Sequence, residues 1–383
     1  MYTISSSFPT VKQCILVLDV CEFIGETPSW RTQVLSFEKQ QEGGINLKLT
    51  AQDVANKAGV SAATVSRTFA HPDKVLQETR EKVMIASQEL GFTISRSASA
   101  LKSQQSFRIA VLISEPVATW FNSHICGALN DVLQPEGYDI CTYYIPDVTN
   151  RRQLFEEIPL RHNVDAVVVS SFGVDVMEIE DLRRLDIPLI GINVPVTQGF
   201  SATIGIDEYA SMRLVVKHLH DLGHHRVCFV CSELKHASLP YSADLRSDAF
   251  LRACHDVGES IEPLLIHVPR EVDEPENYAI SQLLTCSPRP TAVCCLSDGM
   301  AIPLLFKLMR SGIKVPQDMS LVGFDDSTYA KQFNLTTVHQ EVDFLGAEAG
   351  RLVLDLIRGQ QPEVQNRVLD TYLALRASTA PLS

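Results

Sequence analysis

From Arg108 to Phe324 the chain alternates between short, nearly unbroken apolar runs and longer stretches with helical spacing. The runs are RIAVLIS (108–114), YDICTYY (138–144), VDAVVVS (164–170), IPLIGIN (187–193), RVCFVC (226–231), TAVCCLS (291–297) and SLVGF (320–324). A strand with one face in water alternates apolar and polar residues. Continuous Val, Ile, Leu and Cys instead demand cover on both faces. Helices between the strands supply that cover, and glycines close some of them, as at Gly137 and Gly223. The rhythm predicts doubly wound parallel sheets, a design in which ligands collect at the C-terminal ends of the strands.

The stretch TAQDVANKAGVSAATVSRTF (50–69) has a different character. Thr50 and Asp53 form a helix-start signal in which each side chain satisfies an amide of the first turn. Val54, Ala55 and Ala58 give a small apolar face, Gly59 breaks the helix, and Ser61 is a good cap for a second one. Two short helices joined by a tight glycine turn outline a helix-turn-helix, although a helical hairpin packed in a core has the same outline. The second helix offers Ala62, Ala63, Thr64, Ser66 and Arg67, all small apart from the arginine. A helix that enters a DNA major groove needs that slimness at its N-terminus.

A chain of 383 residues suggests two or three domains, and 45% hydrophobic with 21% charged residues is ordinary for a soluble globular protein. No apolar run reaches the roughly 18 residues that span a bilayer, so no membrane association is expected. CILVLDVC (14–21) is too short and lacks a basic flank. Ten cysteines without framework spacing point to reduced thiols and a cytoplasmic location. The net charge of −13 argues against nucleic acid when read globally, but residues 48–106 carry +3 and residues 107–383 carry −14. A small basic module on an acidic body is compatible with phosphate contacts confined to one end.

Catalytic signatures are missing: there is no GxxxxGK[ST] loop, GxSxG elbow or HExxH, and no nucleophile–base pair at recognisable spacing. No enzymatic activity and no cofactor are expected. HLHDLGHHR (218–226) straddles a helix end and a strand start, which favours helix capping over metal binding. Cys228 and Cys231 lie three apart along a strand and so face opposite ways; with Cys294 and Cys295 they read as core residues.

Residues 50–69 resemble, almost position by position, the headpiece of the lactose-repressor (LacI/GalR) family of bacterial transcription regulators. QETREKVMIASQELGF (77–92) resembles that family's third helix, and the similarity runs over roughly residues 49–381. The resemblance implies an N-terminal all-α helix-turn-helix headpiece plus an α/β periplasmic-binding-protein-like core of two doubly wound parallel-sheet subdomains. The expected boundaries are a headpiece at 48–92, a hinge at 93–106 and an effector-binding and dimerisation core at 107–383. Within the core, one subdomain is expected at about 107–204 plus 325–339 and the other at about 205–324 plus 340–383. Residues 1–47 fall outside the family, as a disordered leader or a mis-called extension of a start near Leu47.

By the same resemblance the chain is a homodimeric repressor of a palindromic operator, controlled by a small-molecule effector. Arg67 is the candidate guanine contact, with Ala62 and Ala63 offering methyl groups to the bases. Thr50, Ser61, Thr64, Ser66 and Thr79 would set register on phosphates. Leu101 matches the hinge leucine that wedges into the central minor-groove step. For the effector, YSADLRSDAF resembles the segment that puts Arg246 on the ligand, CCLSDGMAIP offers Asp298, and IGIDEY offers Asp207. Trp120 and Phe121 resemble stacking aromatics. An arginine fork and carboxylates bind vicinal hydroxyls, while an aromatic face covers a ring.

Two departures leave the ligand class open among a sugar, a sugar phosphate and a nucleoside or nucleobase. Arg246-Ser-Asp-Ala249-Phe250 replaces the common Arg-x-x-Gly-Phe, and Val272 stands where some relatives carry an aromatic. The ending YLALRASTAPLS has no heptad tail, which argues against a tetramer like the lactose repressor's. Inducer and corepressor remain equally open. A cytosolic sensor acting without operator contact is the second reading, and an enzyme on the same fold the third.

Overall fold

The computed structural model describes residues 49–70, 74–92, 105–145, 147–161, 163–184, 186–233, 241–258, 261–269 and 272–382. The extension at 1–47 and most of the hinge, Leu101 included, lie outside these residues. The chain divides into two compact units, Met1–Ser95 and Arg96–Ser383.

The first unit contains helices α1 (Ala51–Ala58), α2 (Ala62–Ala70) and α3 (Gln77–Leu90). The Asp53 carboxylate accepts the Thr50 amide at 2.8 Å and the Thr50 hydroxyl at 2.7 Å, fixing the start of α1. Gly59 closes α1 in the left-handed region at φ 67°, and the Ser61 hydroxyl then accepts the Thr64 amide at 3.1 Å to begin α2. Val54, Ala55, Val65, Val83 and Ala86 form the core. All five are short, which lets three short helices approach closely without long side chains.

The second unit begins with β1 (Arg108–Ile113), α4 (Trp120–Leu133), β2 (Asp139–Tyr144), α5 (Val148–Arg161), β3 (Ala166–Ser170) and α6 (Val176–Arg184). It continues through β4 (Leu189–Ile192), β5 (Ala202–Ile206), α7 (Glu208–Asp221), β6 (Arg226–Ser232), α8 (Ser242–Asp256) and β7 (Glu262–Val268). There follow α9 (Pro275–Thr285), β8 (Ala292–Cys295), α10 (Asp298–Arg310), β9 (Ser320–Asp325) and β10 (Thr336–His339). It ends with α11 (Val342–Ile357), β11 (Asn366–Leu369) and β12 (Tyr372–Ala374). Two six-stranded sheets result, in the orders β11-β5-β4-β3-β1-β2 and β12-β10-β9-β8-β6-β7. Every pairing is parallel except that of β10 with β12.

Both faces of each sheet are covered, as the unbroken apolar runs require. Ile109, Val111 and Ile113 of β1 join one core while Ala110 and Leu112 join another. In β6, Cys228 and Val230 face one core and Phe229 and Cys231 the other, so the two thiols do point to opposite faces. Burial pushes both thiols up, away from the reactive thiolate.

The subdomain boundaries expected at the C-terminal end are corrected by the pairing. Residues 325–339 do not join the first subdomain, because β10 lies parallel to β9, with Thr336 opposite Val322 and His339 opposite Asp325. Much of 340–383 does not join the second, because β11 pairs with β5 and α11 packs on α4. The cause is a close helix–helix fit. Val342, Leu345, Ala349 and Val353 share a core with Ile125, Leu129 and Leu133. Gly346 permits the approach: a Cβ there would lie 2.8 Å from the Ala128 Cβ and 2.9 Å from the Ile125 carbonyl oxygen. Gly346→Val should therefore destabilise the α/β unit by about 1–3 kcal/mol through overpacking, read from the urea midpoint of that unit. A midpoint equal to wild type would show that the two helices separate at no cost.

The chain consequently crosses between the subdomains three times, from β5 into α7, from β10 into α11 and from β11 into β12. No helix among the described residues is long and apolar enough to cross a membrane.

Candidate effector cleft and DNA-contacting helix

Within the second unit, the C-terminal ends of strands from both sheets line a cleft of about 540 Å³. Trp120 and Phe121 enter it from the start of α4, and Asn193 from the end of β4. Tyr241, Ser242 and Arg246 come from the start of α8, Asp325 from the end of β9, and Gln340 from the crossing between β10 and α11.

Arg246 is buried and held on three sides. Its Nε and Nη2 donate to the two carboxylate oxygens of Glu208, each at 2.7 Å, and its Nη1 donates to the Leu296 carbonyl at 2.6 Å. The guanidinium carbon sits 3.5 Å above the centre of the Phe324 ring. Burial works against the charge, but Glu208, with a smaller pull from Asp325, outweighs it and raises the arginine's affinity for its proton.

Asp207 does not line the cleft. It is exposed, and its carboxylate accepts the Ala210 amide at 3.0 Å as the N-cap of α7. A cap folds back onto its own helix, whereas the next side chain, Glu208, points inward to Arg246. Asp298 is placed beside the cleft and fully buried rather than in its lining. Its carboxylate accepts the Ser327 amide at 2.6 Å and the Thr337 hydroxyl at 2.7 Å, tying α10 to the segment after β9 and to β10 itself.

With Glu115 and Glu276, Asp325 reaches the lining. Burial pushes it up to about 8, against the opposing pull of Arg246 and with a further push from Asp298. It accepts Gln340 Nε2 at 2.7 Å; Gln340 Oε1 accepts Asn193 Nδ2 at 3.3 Å; and Asn193 Oδ1 accepts the Ile206 amide at 3.1 Å. This polar chain joins two of the three crossings. Asn193 and Asp325 both have positive φ, at 48° and 116°, a strained backbone that persists where surroundings over-determine it. Sequence reading missed Glu208, Asp325, Gln340 and Asn193. Trp120 is positioned by its indole N–H, which donates to the Thr328 hydroxyl at 3.0 Å, and by the His124 ring at 4.4 Å.

His224 does not cap the helix with its side chain. Its backbone amide closes α7 on the Leu219 carbonyl, while the imidazole bonds the Thr291 and Ser320 hydroxyls, each at 2.9 Å. Among the described residues no cluster of His, Cys, Asp and Glu is poised to hold a metal ion.

In the first unit, Ala63 and Arg67 of α2 are exposed, and Ala62, Thr64 and Ser66 half-buried. Thr50 and Ser61 are exposed at the helix starts, and Thr79 is half-buried on α3. Lys57 pairs with Glu89 at 2.8 Å on the surface.

Comparison with known proteins fits this geometry. Residues 50–95 match the description of bacterial regulatory proteins of the lacI family, and residues 216–379 match a periplasmic binding protein-like domain. The chain is 30% identical over 348 residues to the HTH-type transcriptional repressor CytR of Escherichia coli K12, covering 90% of this chain and 99% of that protein. It is 28% identical over 338 residues to the HTH-type transcriptional repressor PurR of Erwinia tasmaniensis, covering 86% and 97% respectively. The lac repressor dimer bound to operator and the anti-inducer ONPF has a similar structure, with a TM-score of 0.74 at 27% identity, over 87% of this chain and 99% of that one.

Proposed function

The chain belongs to the lacI family of bacterial regulatory proteins, and on that premise we propose that it is an effector-controlled transcription repressor acting as a homodimer on a palindromic operator. The observation that carries the effector half is the position of the cleft. Asp325 and Gln340 line it and also belong to the polar chain that joins the crossings. A ligand bonded to them therefore biases how the two subdomains close, which is the differential interaction that a population shift requires. The protein works on DNA in the cytoplasm and catalyses nothing in this reading.

On the DNA side, α2 enters the major groove. Arg67 donates to a guanine, Ala62 and Ala63 meet base edges, and Thr50, Ser61, Thr64, Ser66 and Thr79 hold the phosphates. Leu101 wedges into the central minor-groove step. Arg67→Ala should cost about 1–3 kcal/mol per half-site and relax preference at one base. The measurement is binding of the full chain to a panel of palindromes with single substitutions, at several salt concentrations. Wild-type binding should weaken steeply with salt, as phosphate contacts demand. Full discrimination by Arg67→Ala at every operator position removes the residue from the interface. Absence of salt-dependent binding to any palindrome supports a sensor that acts without operator contact.

A further inference from the structure

The end of β9 carries two adjacent aspartates, and both hold a positive φ, 116° at Asp325 and 55° at Asp326. Asp325 turns into the cleft and accepts Gln340. Asp326 instead takes His339, the last residue of β10, whose Nδ1 donates to its carboxylate at 3.0 Å. Two consecutive residues at the end of β9 thus grip two at the end of β10, and Asp326 and His339 stand outside the cleft lining. One left-handed aspartate strains the backbone; two in a row mark a place that the surroundings hold to a fixed geometry.

Asp326 and His339 gather groups from the crossings between the subdomains. The Asp326 carboxylate also accepts Arg376 Nη2 at 2.6 Å, and Arg376 Nη1 donates to the Leu335 carbonyl at 2.7 Å. The ring of Tyr372, the first residue of β12, stacks on the His339 imidazole at 4.5 Å and 22°. His339 precedes the crossing from β10 into α11, and Tyr372 follows the crossing from β11 into β12. Thr371 reaches the third crossing, its hydroxyl 2.8 Å from that of Ser211 in α7. One bond is wanting. A carboxylate only accepts, so Asp326 fixes the N–H on Nδ1, and a neutral imidazole then has a bare lone pair on Nε2. Nε2 is buried, makes no hydrogen bond and lies 3.2 Å from Glu341 Oε1, so acceptor faces acceptor. An arrangement serving stability alone would not leave that cost in place.

Resting on the repressor reading above, we infer that Asp326 and His339 are positioning residues, a clamp outside the cleft that sets how far the two subdomains close. The clamp is half made, because the Asp326 side bonds while the Glu341 side repels. An effector that pulls on Asp325 or Gln340 moves the same two chain segments that carry Asp326 and His339. Cleft occupancy and clamp therefore bias one shared element, which is what physical coupling between sites requires.

Trp120 reports the closure without any ligand. It belongs to α4 of the first subdomain, and its indole donates to Thr328 of the second at 3.0 Å. The chain has one other tryptophan, Trp30, whose signal a Trp120→Phe control subtracts. The test uses the full chain, its Trp120 emission and acrylamide quenching, and its affinity for the palindrome that wild type selects from a randomised pool. His339→Leu removes both ring nitrogens. It should shift Trp120 emission to the red, raise its quenching, and change ligand-free operator affinity by about fivefold or more, the low end of ordinary coupling. His339→Asn places an amide N–H near the position of Nδ1 and should return both readouts most of the way to wild type. Glu341→Gln offers an N–H to Nε2, completes the clamp, and should move both readouts in the direction opposite to His339→Leu. Glu341 is exposed, so that variant carries the test even if His339→Leu fails to fold, which urea midpoints reveal. A lowered midpoint in His339→Leu, with Trp120 and operator affinity as in wild type, makes the pair a plain structural contact and overturns the inference. His339→Asn behaving like His339→Leu overturns it too, and Glu341→Gln moving in the same direction as His339→Leu refutes the half-made clamp. A wild-type chain that selects no palindrome counts against the repressor reading, while Trp120 still decides the clamp.

Discussion

Arg246→Ala should destabilise the α/β unit by about 3–5 kcal/mol and erase the response of operator binding to effector. Glu208 is 9% exposed, and removal of its bidentate partner leaves a buried carboxylate uncompensated. The packing of the guanidinium over Phe324 is lost as well. The double variant Arg246→Ala/Glu208→Gln separates the two effects. It should recover more than half of the lost stability, because the stranded charge is gone, and still fail to respond to effector. Without ligand both variants should hold operator DNA about as wild type does. Urea denaturation gives the stabilities and operator titration gives the response. An Arg246→Ala protein with wild-type stability and an intact response removes the residue from the site. If the ligand is an inducer, the single variant leaves its genes permanently repressed; if a corepressor, permanently expressed.

Asp325→Asn should do the opposite to stability. The folded-state value of about 8 lies far above that of an unfolded aspartate, so the folded protein holds a proton that the unfolded chain has released. Asp325 therefore supports folding fully only below about pH 4, and that support is lost as pH rises from there to about 8. Asparagine has no proton to lose, and its carbonyl can still accept from Gln340 Nε2, the bond Asp325 makes at 2.7 Å. The variant should be more stable than wild type by about 2–4 kcal/mol at pH 8, with the difference closing toward pH 4. Its effector affinity should fall only above about pH 8, where wild-type Asp325 is ionised, since an amide oxygen accepts ligand hydroxyls more weakly than a carboxylate. A variant less stable than wild type at pH 8, or a difference that persists at pH 4, contradicts this reading of Asp325. Stability set against function at one buried acid is the pattern expected of a binding site.

What the sequence disclosed followed the range of the forces involved. The headpiece was legible down to individual bonds, because the Thr50–Asp53 start, the Gly59 stop and the Ser61 cap are contacts within a few residues. The central strands were legible because burial on both faces leaves unbroken apolar runs. Strands β5, β7, β10, β11 and β12 were not. ATIGI is interrupted by Thr203 and Gly205, EPLLIHV is an edge strand that begins with Glu262 and Pro263, and the last three are only three or four residues long, too short to leave an apolar run. Which sheet α11 covers depends on the fit of Gly346 against α4, more than 200 residues earlier in the chain, and no local pattern carries that.

The site divides the same way. Arg246 could be found from its segment. Asp207 and Glu208 are adjacent acids at a helix start, and only the turn of the helix decides that the first caps and the second points inward. Asp298 and Asp325 both follow apolar strands, so they carry the same signal in sequence. Three-dimensional placement consigns one to the Ser327 and Thr337 donors and the other to the cleft.

Cleft and headpiece are two sites on one chain, and a regulator must couple them. The direct measurement is the operator affinity of the full chain with and without saturating effector, paired with the effector affinity with and without operator. Thermodynamic linkage requires the same factor in both directions, about 5–150-fold for an ordinary allosteric coupling, and a factor near one for Arg246→Ala. A ligand that occupies the cleft by calorimetry yet leaves wild-type operator affinity unchanged would contradict effector control of this protein.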